Sequence, residues 1–185
     1  MQLVFVIHTP DTYNMWWYID MDTISLTDEQ LKFARELAMK RSGSMGHSAT
    51  KNSGNFFNDK PPWYRHYVGA VGEVAFGALY GMDVDSETIG RGDSGVDFAG
   101  GIQVKTSDAE KMPRLMFPKG QWERKIADEY VLMWFKPPNW VMVVGSIRRD
   151  DAEKVKEIME FGRGTTYVID NRHLTEFIKV STGRQ

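Results

Sequence analysis

The 185-residue chain contains no cysteine. That excludes a disulfide framework and a thiolate zinc site, and it fits a reducing compartment. No apolar run approaches the length needed to cross a bilayer. The opening Met-Gln-Leu-Val-Phe-Val-Ile lacks a cationic stretch and reaches His8 too soon for a secretion signal. We therefore expect a cytoplasmic protein without membrane contact. Positive charge is not in excess either: the net charge is −2, which excludes a generally basic nucleic-acid binder. There is no internal repeat, no low-complexity segment, and no zinc finger or recognition helix that would read a base sequence.

What is present is an ordinary globular mix, 42% hydrophobic and 26% charged, enough to bury a core. The charges are segregated. An acidic stretch over 83–97 lies between two basic stretches, over 40–65 and 111–125. Alternating solvated surface produces such a pattern, and so does a metal site that must also hold a polyanion.

Several elements can be read directly. The first seven residues have strand composition. Thr27-Asp28-Glu29-Gln30 is a capping box, and the helix it opens carries Leu31, Ala34, Leu37 and Ala38 on one face. A Gly/Ser/Asn-rich loop over 43–59 follows, flanked by Lys40, Arg41 and Lys51. Tyr64 to Tyr80 has helical spacing, with Gly81 as a stop. Glu73 faces away from its apolar stripe, and the helix glycines suggest that a backbone or ligand comes close beside it. Strands are expected over 83–89, 95–98, 102–107 and 115–117. A helix over 120–128 and the buried strands 130–135 and 140–147 come next. A helix over 150–160, a strand over 167–169 and a last helix from Asp170 or Asn171 complete the list. The order argues for an α/β protein with a mixed sheet flanked by helices.

Two residues are out of place in this pattern. Asp97 interrupts Val-Asp-Phe and Lys105 interrupts Ile-Gln-Val-Lys, with Gly100-Gly101 between. A three-residue loop, Ala99-Gly100-Gly101 with Gly101 left-handed, pairs Phe98 with Ile102 and puts Asp97, Gln103 and Lys105 on one surface. A two-residue turn would separate them. Singly, an Asp beside a turn and a Lys on an edge strand are ordinary. Together with Glu73 on the preceding helix they form an ordered set.

That set, with the Gly-Glu-Val-Ala-Phe around Glu73, resembles the PD-(D/E)XK nuclease superfamily over about 64–147. The resemblance implies a restriction-endonuclease-like core over 64–185, with an N-terminal extension over 1–63 packed on it. It implies a Mg2+-dependent deoxyribonuclease, with Mn2+ able to substitute. Glu73, Asp97, Gln103 and Lys105 would be catalytic, and the ion would be held by Glu73, Asp97 and the Val104 backbone carbonyl. Lys105 would orient the attacking water or stabilise developing phosphorane charge. Gln103 departs from the pattern, since an acid is usual there. DNA would be the favoured partner, two copies would pair to cut both strands, and a phage or mobile-element origin follows. Arg65, His66, Lys111, Arg114, Lys119, Arg124 and Lys125 are the candidate phosphate contacts, and Trp63, Tyr64 and Trp122 the candidate base-stacking residues. Trp134 and Trp140 are expected in the core. The alternative is a nuclease-fold module weakened by Gln103 that binds nucleic acid or a protein. A third class uses Glu73 and Asp97 as an acid/base pair on a sugar.

Overall fold

A computed structural model describes residues 21–44, 60–61, 63–86, 95–124, 127–162 and 164–178. The strand expected over the first seven residues, the loop over 45–59 and Lys125 lie outside the described residues.

The protein is mixed α/β. Its main sheet contains β1 (Thr23–Ser25), β2 (Ile102–Ser107), β4 (Glu129–Lys136) and β5 (Trp140–Arg148), in the order β1-β5-β4-β2. β2 runs parallel to β4, and the other pairs are antiparallel, so the sheet is mixed. β4 is central because its apolar run satisfies both faces. Val131, Met133 and Phe135 enter one core cluster, and Tyr130 and Leu132 enter the other. Each such side chain, fully removed from water, contributes about 1.5–3 kcal/mol.

On one face lie α1 (Asp28–Ser44) and α2 (Tyr64–Tyr80). The capping box forms as expected: the Thr27 amide donates to Gln30 Oε1 at 2.9 Å, and the Gln30 amide to Thr27 Oγ1 at 3.3 Å. Gly81 ends α2 in the left-handed region (φ 59°). On the other face a second sheet of β3 (Leu115–Pro118), β7 (Gly164–Ile169) and β6 (Glu157–Phe161), in that order, packs with α3 (Lys119–Arg124) and α4 (Arg149–Val155). Among the described residues, no helix is long and apolar enough to cross a membrane.

Four expectations need correction. The helix expected over 150–160 stops at Val155, and Glu157–Phe161 forms β6, antiparallel to β7 (Gly164–Ile169). Lys156 is extended (φ −63°, ψ 134°), and the chain reverses between Phe161 and Gly164. Pairing with β7 thus overrides a short helical pattern. The last helix is only a 3-10 turn, Asn171–His173, capped by Asp170, which accepts from the Arg172 amide at 3.0 Å. Beyond it Thr175 bridges Ser146, so the backbone is spent on the main sheet. Residues 83–86 form no strand, and 95–98 contribute only the bridge Phe98–Ile102. Trp140 is 51% exposed, on a strand near the sheet edge, whereas Trp134 is buried as expected.

Candidate active site at the outer edge of β2

The turn before β2 has the expected length. Phe98 bridges Ile102, and Gly100 and Gly101 have φ values of 87° and 74°. Gly101 is required twice over. Its φ is one that side chains rarely adopt, and a Cβ there would lie 2.2 Å from the Asp128 carboxylate. Its carbonyl accepts from the Asp128 amide at 2.7 Å, which ties the turn to the entry of β4.

Backbone groups of alternate residues on β2 face outward, away from β4. The Ile102 carbonyl accepts from the Asp97 amide at 2.8 Å, and the Val104 amide donates to Asp97 Oδ2 at 2.8 Å. A strand residue turns its N–H and C=O toward the same edge, so the Val104 carbonyl also faces the Asp97 side. Carboxylate and carbonyl thus meet at one edge.

The side chains of β2 divide between the faces. Ile102 and Val104 enter the core cluster beneath α1 and α2. Thr106 meets α2 at Gly72, where a Cβ would be 1.7 Å from Thr106 Oγ1. The close neighbour at Gly72 is therefore a threonine side chain, where a backbone or a ligand was expected. Gly77 is constrained by the Met82 carbonyl, 2.6 Å from where its Cβ would be, whereas Gly69, one turn before Glu73, has open space. Thr106 Oγ1 is also the one buried side-chain polar atom without a partner among the described residues. Gln103 and Lys105 take the opposite face. Gln103 is buried at 4% exposure, and Lys105 Nζ lies 5.5 Å from the centroid of the Phe117 ring.

Asp97 is where the two faces meet. Its carboxyl is pushed up from its ordinary 3.8 to about 6. Burial is the largest cause and the charge of Glu73 the next; the Val104 hydrogen bond, Lys105 and Arg41 pull the other way. Glu73, Lys105 and Arg41 thus all act electrostatically on Asp97, the lysine from the face opposite α2.

Glu73 is buried on α2, and its charge is met by Arg41 from the last turn of α1. The contact is bidentate: Nη1 to Oε1 at 2.6 Å and Nη2 to Oε2 at 2.7 Å, with the side chains 24% and 9% exposed. Burial alone would lower the arginine's pKa. Glu73 first, then Asp97 and Asp85, outweigh it and hold the guanidinium more firmly charged than usual. Removing one partner of such a buried pair costs about 3–5 kcal/mol. Sequence reasoning placed Arg41 only beside a loop. The signal was there: Arg41 follows Ala34 by seven residues and Ala38 by three, so it extends the buried stripe of α1.

His66 lies near this pair. Burial, then Arg65 and Arg41, lower its pKa, so the imidazole is neutral at pH 7. Arg65, Lys111, Arg114, Lys119 and Arg124 are exposed. Lys119 pairs with Glu123 at 3.9 Å, and Arg124 Nε donates to the Gly120 carbonyl at 2.7 Å. Trp122 is 4% exposed, which removes it from the stacking candidates.

Among the described residues, no group of three or more His, Cys, Asp or Glu side chains could hold a metal. The oxygens at the β2 edge include the Asp97 carboxylate and the Val104 carbonyl, and Glu73 is paired with Arg41. Hard oxygen donors with room for water suit Mg2+. A carboxylate pushed up by burial and a like charge also marks a place where more positive charge is favourable. The residues fit such an ion. No family model matches this chain, and neither a curated protein nor a solved structure does.

Proposed function

We propose that the chain belongs to the class of metal-dependent phosphodiester hydrolases, built on a restriction-endonuclease-like core. More particularly, it is a Mg2+-dependent nuclease acting on DNA. The observation that carries the reading is Asp97. It is bonded to the Val104 amide at the edge of β2 and raised by burial and Glu73, and Lys105 and Arg41 also act on it. A Mg2+ ion held there would lower the pKa of a bound water and neutralise charge on the phosphate. The chain's own groups do the rest. Asp97 and the Val104 carbonyl would hold the ion, Lys105 would supply a compact cation for the developing charge, and Arg41 would add a second fixed positive centre.

The test is cleavage of duplex, nicked, branched and single-stranded DNA with Mg2+ or Mn2+. Ion-assisted stabilisation is worth several kcal/mol, so Asp97→Ala and Lys105→Ala are each expected to lose about 100-fold or more. Undiminished cleavage by both variants removes the assignment.

Gln103 favours a second reading, a weakened nuclease-fold module that binds nucleic acid without cutting it. Its amide is buried and brings no charge to the site. That reading expects salt-sensitive DNA binding, no cleavage, and activity gained by Gln103→Glu.

A further inference from the structure

We infer that the aromatic surface at the start of α2, formed by Trp63, Tyr64 and Tyr67 with the cations Arg35 and Lys60, binds unpaired nucleotides, so that the DNA taken at the β2 edge carries a single-stranded stretch. This rests on the reading of DNA as the substrate and adds which kind of DNA.

The three rings form one group. The Trp63 ring centroid lies 6.4 Å from that of Tyr64 and 5.9 Å from that of Tyr67, and the two tyrosine rings are 6.1 Å apart. Both tyrosines are anchored. The Tyr64 hydroxyl donates to Asp108 Oδ2 at 2.9 Å, the Tyr67 ring meets the Phe135 ring edge-on at 6.2 Å, and both pack on the main core cluster. Trp63 is half-buried and rests on the tyrosines rather than in that core. Rings fixed in this way offer flat apolar area at little entropic cost.

The cations lie over the ring faces. The Arg35 guanidinium, from α1, is 5.1 Å from the Trp63 centroid, and Lys60 Nζ is 4.3 Å from that of Tyr64. Burial raises the pKa of the Tyr67 phenol and the Arg35 charge opposes it, so Arg35 acts on a second ring. Both cations are exposed, so the faces they cover are reached from solvent. Among the described residues neither has a carboxylate partner. A base stacked on a ring gains more than an exposed cation does, and a displaced cation can move to the phosphate beside that base. Flat rings with adjoining positive charge thus match both parts of a nucleotide. A duplex keeps its bases stacked on one another and offers these rings no face, which is why the ligand is unpaired. Trp63 precedes Glu73 by ten residues, about 15 Å along the helix or about four steps of a stacked strand.

The test is binding of a labelled oligothymidylate and of a labelled blunt duplex, followed by anisotropy in EDTA so that no divalent ion contributes. Loss of one stacked base in Trp63→Ala is expected to weaken single-strand binding about 10-fold and to leave duplex binding within about 3-fold of native. Trp63→Phe keeps a ring and should recover most of the loss. Arg35→Gln, at an exposed position that the fold tolerates, should weaken the single strand about 3-fold and reduce its salt slope by about one. If Trp63→Ala binds oligothymidylate as tightly as native, or if the native chain binds no single strand or binds the duplex more tightly, the inference fails and the nuclease reading stands. If the native chain holds the single strand through Trp63 but cuts no DNA with Mg2+, the nuclease reading fails and the inference stands.

Discussion

Trp122, on α3, and Asp97, just before β2, lie in two charged clusters. At Trp122 the Glu153 carboxylate is matched. Trp122 Nε1 donates to Glu153 Oε2 at 3.0 Å, Lys156 pairs with the same glutamate, and Arg149 donates to the Tyr130 hydroxyl and the Trp122 carbonyl. The Arg149 guanidinium lies 4.5 Å from the Trp122 ring centroid, and Lys156 Nζ lies 4.4 Å from that of Tyr167. Lys156 chiefly holds the Glu153 carboxyl below its ordinary range. At Asp97 the shift is reversed, because burial and a second acid outweigh the cations. The first cluster pins α3 and α4 to the sheet. The second stores unfavourable charge, which is how a site poised for an ion or a proton is built. A cleft of about 510 Å³ lies over the first cluster, lined by Trp122, Glu123, Arg149 and Lys156 among others. Its charges already serve the fold, so its size does not make it the active site.

The contrast can be broken most forcefully by truncation. Trp122→Ala is expected to destabilise by about 3–5 kcal/mol, because the indole is 4% exposed inside the second core cluster. Denaturant unfolding measures this, and a loss below 1 kcal/mol would mean the cluster is not structural. Asp97→Asn should act the other way. The unfolded carboxyl ionises near 3.8 and the folded one near 6, so between these values the unfolded state releases its proton first and stability falls as pH rises. At about 1.4 kcal/mol per pH unit, the variant, which keeps an acceptor for Val104, should gain up to about 3 kcal/mol above pH 6 and nothing below pH 3.8. Melting across that range decides it, and a variant less stable at pH 7 would show that the stored charge is illusory.

Two glycines sharpen the comparison further. Gly72→Ala must push Thr106 away, and overpacking of this kind costs about 1–3 kcal/mol. Gly69→Ala meets nothing and should stabilise α2 by about 0.5–1 kcal/mol. Paired melting curves separate them. If Gly69→Ala also slows DNA cleavage, the open space beside Glu73 is used by the strand.

What the sequence made legible was local. The limits of α2 followed from its periodicity and Gly81, and the turn before β2 followed from Gly100-Gly101 between two apolar runs. Pro137-Pro138-Asn139 between two apolar runs is likewise a turn legible in the sequence, and β4 and β5 pair antiparallel across it. What depended on distant partners was hidden. Nothing near Glu73 announces that Arg41, 32 residues earlier, occupies its carboxylate. Nor does the Gln-Val-Lys stretch reveal that its lysine faces Phe117 across the sheet from α2; that required knowing where the second sheet packs. β6 was missed because Val155, Ile158 and Met159 are spaced for a helix as well as for a strand's surroundings, and only β7 decides between them. The Gly162 and Gly164 that flank the reversal were the available hint.

Anomalous diffraction from crystals soaked in Mn2+ would decide where the divalent ion goes. The expected map has one strong peak between the Asp97 carboxylate and the Val104 carbonyl, with Arg41 still paired to Glu73. A peak instead at Glu123, Asp150 or Glu153 in the Trp122 cleft, or none anywhere on the protein, would contradict it.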